Sequence, residues 1–191
     1  MVSNVCINWR TKEILLIFDP KKNLWYGGCP GGKMKEEESV EKAGPRELFQ
    51  ETNQEGKLTK FRVKIPKDGP DGPYIHNFVF TKIIHSGNEL KNHEDEKAIP
   101  RWVPLEALLL GKAKMFPSHV RGLVLVIEKM AEGEEKRDKI DKNKIPILSE
   151  TMPGVAELLD ELKKIFDENG HYVRKFVPQR LIRAGYRPFD N

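Results

Sequence analysis

Glu47 and Glu51 are four positions apart in a stretch that reads as helix. That spacing sets them about 40° apart around the axis and puts two carboxylates side by side. Left alone they repel. A hard cation that prefers oxygen ligands, such as Mg²⁺ or Mn²⁺, offsets the repulsion by bridging them. The plainer reading is a solvated acidic face, which many helices carry, so the neighbouring residues decide. From Gly32 to Glu55, seven acids (Glu36, Glu37, Glu38, Glu41, Glu47, Glu51, Glu55) outnumber four bases (Lys33, Lys35, Lys42, Arg46), in a chain whose formal net charge is +4. An acidic island in a basic chain needs a reason, and a cation site supplies one.

Ahead of the pair stand Pro30-Gly31-Gly32, then Glu38 after five residues, Arg46-Glu47-Leu48 after seven more, and Gln50-Glu51 one residue later. This order resembles the signature of the Nudix hydrolases, Gly-x5-Glu-x7-Arg-Glu-apolar-x-Glu-Glu-x-Gly-apolar, with a resemblance that extends over about residues 1–131. The resemblance implies an α/β fold, a Nudix-like α/β/α sandwich with a mixed β-sheet. It also implies Mg²⁺- or Mn²⁺-dependent hydrolysis, by water attack on a phosphate anhydride, of a nucleoside diphosphate linked to another group. That group would make the substrate a nucleotide sugar or dinucleotide, ahead of a nucleoside triphosphate. Carried onto this chain, Glu47 and Glu51 become the direct metal ligands. Gly31 and Gly32 let the backbone turn tightly enough for a carbonyl, that of Gly32, to reach the metal. Glu38 and Arg46 form a charge pair that fixes the loop against the helix.

The chain departs from the pattern at Gln50, which stands where the family has the first glutamate of its pair. A neutral amide still coordinates through oxygen, so Gln50 stays a candidate ligand, but metal affinity falls. Asn53 replaces the glycine, a mild change because Asn also tolerates the left-handed conformation at a helix end; Gln54 replaces the apolar residue after it. The missing acid must come from elsewhere. The family often takes one from a loop before a late Trp-containing strand, and Glu94-Asp95-Glu96 lie six to eight residues ahead of Trp102. Glu96 is the expected general base or third ligand. The competing reading is a catalytically weakened nucleotide-binding or regulatory module that kept the fold after losing the glutamate.

Trp25 and Tyr26 are candidates to stack on a nucleobase, as is Trp102, although buried packing is the better explanation of at least one of the three rings. Cys29 lies beside the glycines without an activating partner in sequence, and His76 and His119 read as structural or solvated.

The elements that must position these residues follow from periodicity. Val5-Cys6-Ile7 and Glu13 to Phe18 read as neighbouring strands, and Trp25 to Gly32 as a turn whose glycines supply backbone angles closed to other residues. A helix is expected from about Ser39, its N-cap, to Thr52, either kinked at Pro45 or starting in earnest there. Gly56–Pro66 and Tyr74–Ile84 alternate as a β-meander around the turn Asp68 to Gly72. Arg101 to Pro104 forms a strand, Leu105 to Leu110 a brief helix, and Ser118 to Met130 a helix with one buried face. Ten of the thirteen residues from 132 to 144 are charged, so 132–150 is expected as a charged linker after a hydrolase domain of residues 1–131. Residues 151–191 form a helical, basic extension whose apolar stripe runs from Val155 to Phe166.

With 191 residues, 38% hydrophobic and 32% charged, the chain supports one core and an appendage. No apolar run reaches the roughly 18 residues that a membrane helix needs, no secretory signal opens it, and Cys6 and Cys29 lack metal-ligand spacing. A cytoplasmic protein with a nucleotide-type small-molecule substrate and no membrane partner is expected. The bases Arg174, Lys175, Arg180, Arg183 and Arg187 leave open a solvated tail, a homodimer arm, or a nucleic-acid contact of the kind an RNA 5′-end pyrophosphohydrolase would use.

Overall fold

Apolar residues alternate with single opposite-facing positions along the central strands, and the fold follows from that alternation. A computed structural model describes residues 1–19, 26–84, 89–93, 97–138 and 154–171. In chain order these form β1 (Val2–Val5), β2 (Ile7–Asn8), β3 (Glu13–Phe18), β4 (Tyr26–Gly28), β5 (Gly31–Gly32), α1 (Val40–Thr52), β6 (Gly56–Gly69) and β7 (Gly72–Ile83), followed by β8 (Ile99–Pro104), α2 (Leu105–Leu109), β9 (Lys114–Met115), α3 (Pro117–Asp138) and α4 (Val155–Ile165).

Two mixed sheets result. One runs β5-β1-β7-β6, with β1 and β7 parallel and the other pairs antiparallel; the other runs β2-β3-β4-β9, with β8 on β3 and a parallel β4–β9 pair. Val2 and Val79 pack with Ala43 of α1, and Cys6 and Leu15 with Leu48 of the same helix. Their strand neighbours Ile14, Leu16, Phe18, Phe78 and Phe80 point the other way, into a cluster with Val120, Leu123, Ile127 and Met130 of α3. Helix α1 therefore covers one side and α2–α4 the other, the expected α/β/α sandwich. Helix α4 is no loose appendage, because Val155, Leu158, Leu162 and Ile165 join that same cluster.

Several boundaries differ from expectation. Residues 25–32 do more than turn: Tyr26–Gly28 pairs with β3 and β9, and Gly31–Gly32 pairs with β1. The meander is one long hairpin, and β7 finds its second neighbour in β1, far away in sequence. Helix α1, by contrast, has the expected bounds, with Ser39 at its N-cap and Val40–Thr52 helical, and of the two alternatives at Pro45 it runs through the proline. Residues 132–138, expected to open a linker, continue α3, as their Glu, Lys and Arg content permits. The remainder of the linker, 139–153, and the basic segment 172–191 lie outside the described residues. Among the described residues no helix is long and apolar enough to cross a membrane.

Candidate active site

Helix α1 presents Arg46, Glu47, Gln50 and Glu51, and its start is tied to the glycine turn by Arg46. The guanidinium grips Glu38 with both arms, Nε to Oε1 at 2.8 Å and Nη2 to Oε2 at 2.7 Å, and Nη2 also donates to the Lys33 carbonyl at 3.3 Å. Its Nη1 donates to Gln50 Oε1 at 2.8 Å and lies 2.8 Å from Glu47 Oε1. Glu38 also accepts the Lys35 N–H at 2.9 Å. The Arg46 bonds, then the Lys35 N–H, hold the Glu38 carboxyl down to about 2, and Glu38 in turn raises the Arg46 pKa. The charge pair expected between Glu38 and Arg46 is present, and Arg46 reaches further, to two of the three candidate ligands on α1.

Glu47 is 5% exposed. Its carboxylate fills the space where Gly32 has no side chain: a Cβ there would meet Glu47 Oε2 at 2.5 Å. A Cβ on Gly31 would run into the Val2 carbonyl of β1. Neither glycine adopts a positive φ. The turn needs them for close approach, to a carboxylate on one side and a strand on the other, and not for backbone angles. Gly31 donates its N–H to Glu51 Oε2 at 2.6 Å, while Asn4 fixes the preceding Pro30 carbonyl through its own N–H at 2.7 Å and its Nδ2 at 3.2 Å. At the far end of α1, Asn53 takes the left-handed conformation with φ 57° and its N–H caps the Phe49 carbonyl, the substitution for glycine that the sequence suggested.

The segment 89–93 is strapped along that same end. His93 N–H donates to the Gln50 carbonyl at 2.6 Å, Lys91 N–H to the Thr52 carbonyl at 3.2 Å, and Asn53 Nδ2 to the Glu89 carbonyl at 3.1 Å. The His93 ring stacks on Phe49 with centroids 5.5 Å apart. Periodicity carried no trace of this strap, although Phe49 on the outer face of α1 is 43% exposed and available to a ring. Glu94, Asp95 and Glu96 themselves lie outside the described residues, as does Trp25; Tyr26 is placed through its backbone, paired with Lys114. Trp102 packs beside Cys6, Leu15 and Leu48 in the core.

The oxygen-only donor set of Glu47, Glu51 and the Gly32 main chain suits a hard divalent cation. Mg²⁺ in particular takes one or two carboxylates and completes its shell with water and substrate phosphates. Among the described residues no group of three or more His, Cys, Asp or Glu side chains is placed to hold a metal ion. Glu47 and Glu51 are two such side chains on one helix.

On the opposite side of the glycine turn, Cys29 donates its N–H to His119 Nδ1 at 3.0 Å, which leaves the ring proton on Nε2 when His119 is neutral. His76 Nε2 lies 2.8 Å from Ser3 Oγ, and its ring packs 4.1 Å from Phe78 and 5.6 Å, edge-on, from His119. Burial, followed by the charges of His119, the N-terminus and Lys67, pushes His76 down to about 3. It is a neutral core histidine. Burial lifts Cys29 to about 12, which removes it as a nucleophile.

A family model described as NUDIX domain matches residues 2–123. Among solved structures, a NUDIX-family hydrolase from Clostridium perfringens shares 18% identity at a TM-score of 0.53, over 69% of this chain and 95% of that one. The NUDIX domain of Shewanella oneidensis NrtR, solved with ADP ribose, shares 19% at 0.51, over 70% and 86%. A NUDIX hydrolase from Nitrosomonas europaea shares 17% at 0.50, over 69% and 87%. At these identities the likeness is one of fold. No curated protein matches the chain.

Proposed function

The chain belongs to the Nudix family, and on that premise we propose that it is a divalent-metal-dependent pyrophosphohydrolase acting on a nucleoside diphosphate linked to a further group. Family membership supports phosphate-anhydride hydrolysis in general. The observation that carries the finer reading is the seating of both α1 carboxylates on the diglycine, Glu47 in the space left by Gly32 and Glu51 on the Gly31 N–H at 2.6 Å.

Glu47 and Glu51 would hold Mg²⁺ or Mn²⁺, with the Gly32 carbonyl beside them. Bound there, the cation supplies neutralisation of the diphosphate and acidification of a coordinated water. The residues of the chain do the rest. Arg46 fixes the Glu47 side chain and, through Glu38, the loop that carries Gly32. Glu96 is the proposed general base that takes the proton of the attacking water; it follows closely on His93, which is fastened to Gln50 at 2.6 Å. Trp25 and Tyr26, the second of which opens β4, are the proposed stacking residues for a base.

One observation favours a second reading, a nucleotide-binding module of weakened catalysis: Gln50 Oε1 is engaged by Arg46 at 2.8 Å, so the amide serves the guanidinium in place of a metal. A panel of nucleotide sugars, dinucleotides and nucleoside triphosphates separates the two. The hydrolase releases phosphate or nucleoside monophosphate only with Mg²⁺ or Mn²⁺, and Glu51→Gln abolishes release. Binding without turnover of any panel member would establish the module instead.

A further inference from the structure

Val2 and Asn4 lie two positions apart on β1 and so share a face of the sheet, the face on which Val2 and Val79 pack with Ala43 of α1. Asn4 pairs with Val79 across the β1–β7 ladder, and Thr81, two residues further along β7, lies on the same side. Both polar side chains are enclosed there, Asn4 at 0% and Thr81 at 1% exposure. A buried amide costs free energy unless its polar atoms find partners. Leucine would fill a similar volume without that demand, so the reason for Asn4 lies in what its amide bonds.

Asn4 Nδ2 donates to the Pro30 carbonyl at 3.2 Å and to the Gly44 carbonyl at 3.0 Å, and Oδ1 accepts from Thr81 Oγ1 at 2.9 Å. Two carbonyls can only accept, so they decide which end of the amide faces them, and Thr81 closes the other end. The alternative acceptor for the Thr81 hydroxyl, the Val79 carbonyl, is further away at 3.4 Å. Pro30 immediately precedes Gly31, whose N–H holds Glu51. Gly44 precedes Glu47 by three residues and Glu51 by seven, so the three lie within about 60° of one another around α1. The helix comes near because Gly44 has no side chain: a Cβ there would lie 3.0 Å from the Leu58 methyl groups and 3.3 Å from Asn4 Oδ1. One amide therefore spans the turn and the carboxylate-bearing face of the helix. Unlike the Gly31–Glu51 bond, it is a tie that no metal ligand takes part in.

We propose that Asn4, oriented by Thr81, is a positioning residue for the metal site: its amide sets the separation of the diglycine turn from α1, and with it the affinity of Glu47, Glu51 and the Gly32 carbonyl for a divalent cation. This rests on the metal-dependent hydrolase reading above and adds to it two uncharged residues from β1 and β7.

Mn²⁺ titration followed by electron paramagnetic resonance, beside the amide resonances of the metal-free protein, tests it on the wild type and on Asn4→Leu, Thr81→Val, Thr81→Ser and Leu162→Ala. Asn4→Leu and Thr81→Val should weaken Mn²⁺ binding by about tenfold or more, the scale on which groups behind metal ligands act. Both should also shift the Gly31 amide resonance, because its bond to Glu51 is disturbed. Thr81→Ser keeps the hydroxyl and should bind Mn²⁺ as the wild type does. Leu162, buried in the cluster of α3 and α4, supplies the control: its truncation lowers stability but should leave Mn²⁺ affinity and the Gly31 resonance in place. Should Asn4→Leu fail to fold, Thr81→Val, which exchanges a hydroxyl for a methyl group, still decides. Unchanged Mn²⁺ affinity in Thr81→Val, or an equal loss in Leu162→Ala, would overturn the positioning role. Nucleotide turnover with unchanged affinity in the variants removes that role and keeps the hydrolase. Mn²⁺ binding that the variants weaken, without turnover of any nucleotide, keeps the role and removes the hydrolase; a wild type that binds no Mn²⁺ removes both.

Discussion

Glu51 Oε2 accepts the Gly31 N–H at 2.6 Å, so a side chain near the end of α1 is bonded to the turn that precedes the helix by eight residues. The bond does two things at once: it fixes the turn, and it aims the carboxylate. Glu51→Gln separates them. The amide oxygen still accepts from Gly31, so the melting temperature should change by only a few degrees. The negative charge is lost, and kcat/KM should fall by about 10²-fold or more, the scale of removing one charge-stabilising group from an active site. Thermal melts beside steady-state kinetics check both halves. Activity retained within a few-fold would remove Glu51 from the metal site.

Gly32 is the complementary case, because its role is the space it leaves. A methyl group there would sit 2.5 Å from Glu47 Oε2, and Glu47 is nearly buried and tied to Arg46 at 2.8 Å. Gly32→Ala should therefore cost about 1–3 kcal/mol in denaturant unfolding, as overpacking does. Mn²⁺ affinity should drop with it, because the ligand must rotate away. An Mn²⁺ titration followed by electron paramagnetic resonance reads the second effect independently of turnover. Unchanged Mn²⁺ binding would mean that Glu47 is not a ligand.

Gln50→Glu restores an acid where the amide now accepts from Arg46 at 2.8 Å. Arg46 already holds Glu38 and Glu47, so the new carboxylate has a share of only one guanidinium and repels Glu47 and Glu51. A divalent cation relieves that repulsion. Mn²⁺ affinity should rise by about tenfold, the scale on which groups around a metal tune its binding, while stability without metal falls. If affinity stays constant, residue 50 belongs to the Arg46 anchor alone.

The parts legible in sequence are those whose contacts lie within one helix or one turn. Glu47 and Glu51 share a face because the helical period puts them there, and Glu38 finds Arg46 over eight residues. Gln50 shows the limit of that reasoning: as a departure from a metal-ligand pattern it reads as a candidate ligand, and at four residues from Arg46 it is equally well placed to bond the guanidinium, as it does. The longer-range contacts left no local signal. Ser3 meets His76 across 73 residues and Cys29 meets His119 across 90, because β1 lies parallel to β7 and α3 docks over both, and periodicity carries neither pairing nor docking. The place of the glycine turn is legible in the sequence but its physical reason is not, since steric room and not backbone angle is what Gly31 and Gly32 provide. The charged residues 132–138 read as linker because their helix is held by Met130, Ile127 and other apolar residues before them and not by their own burial.

Acid stability offers a test of the His76 environment that needs no substrate. Burial, above all, holds the folded-state pKa of His76 to about 3, against an ordinary value of 6.5. Above pH 6.5 the ring is neutral in both the folded and the unfolded chain and adds no slope. Below it the unfolded chain takes up a proton that the folded one refuses, so stability is lost as the pH falls, until the folded ring also protonates near 3. Between pH 6.5 and 4.5 this amounts to at most about 2 kcal/mol, or roughly 4–8 °C in melting temperature for a chain of this size. The window lies above that of Glu38, whose depressed pKa of about 2 makes stability fall only below its ordinary 4.5. His76→Gln keeps a partner for Ser3 Oγ but cannot titrate. Whatever it costs in packing is the same at every pH, so the slope of melting temperature against pH, and not its height, reports the histidine. The variant should be flatter than the wild type between pH 6.5 and 4.5; parallel curves would show that the His76 ring takes up its proton in the folded protein as readily as in water.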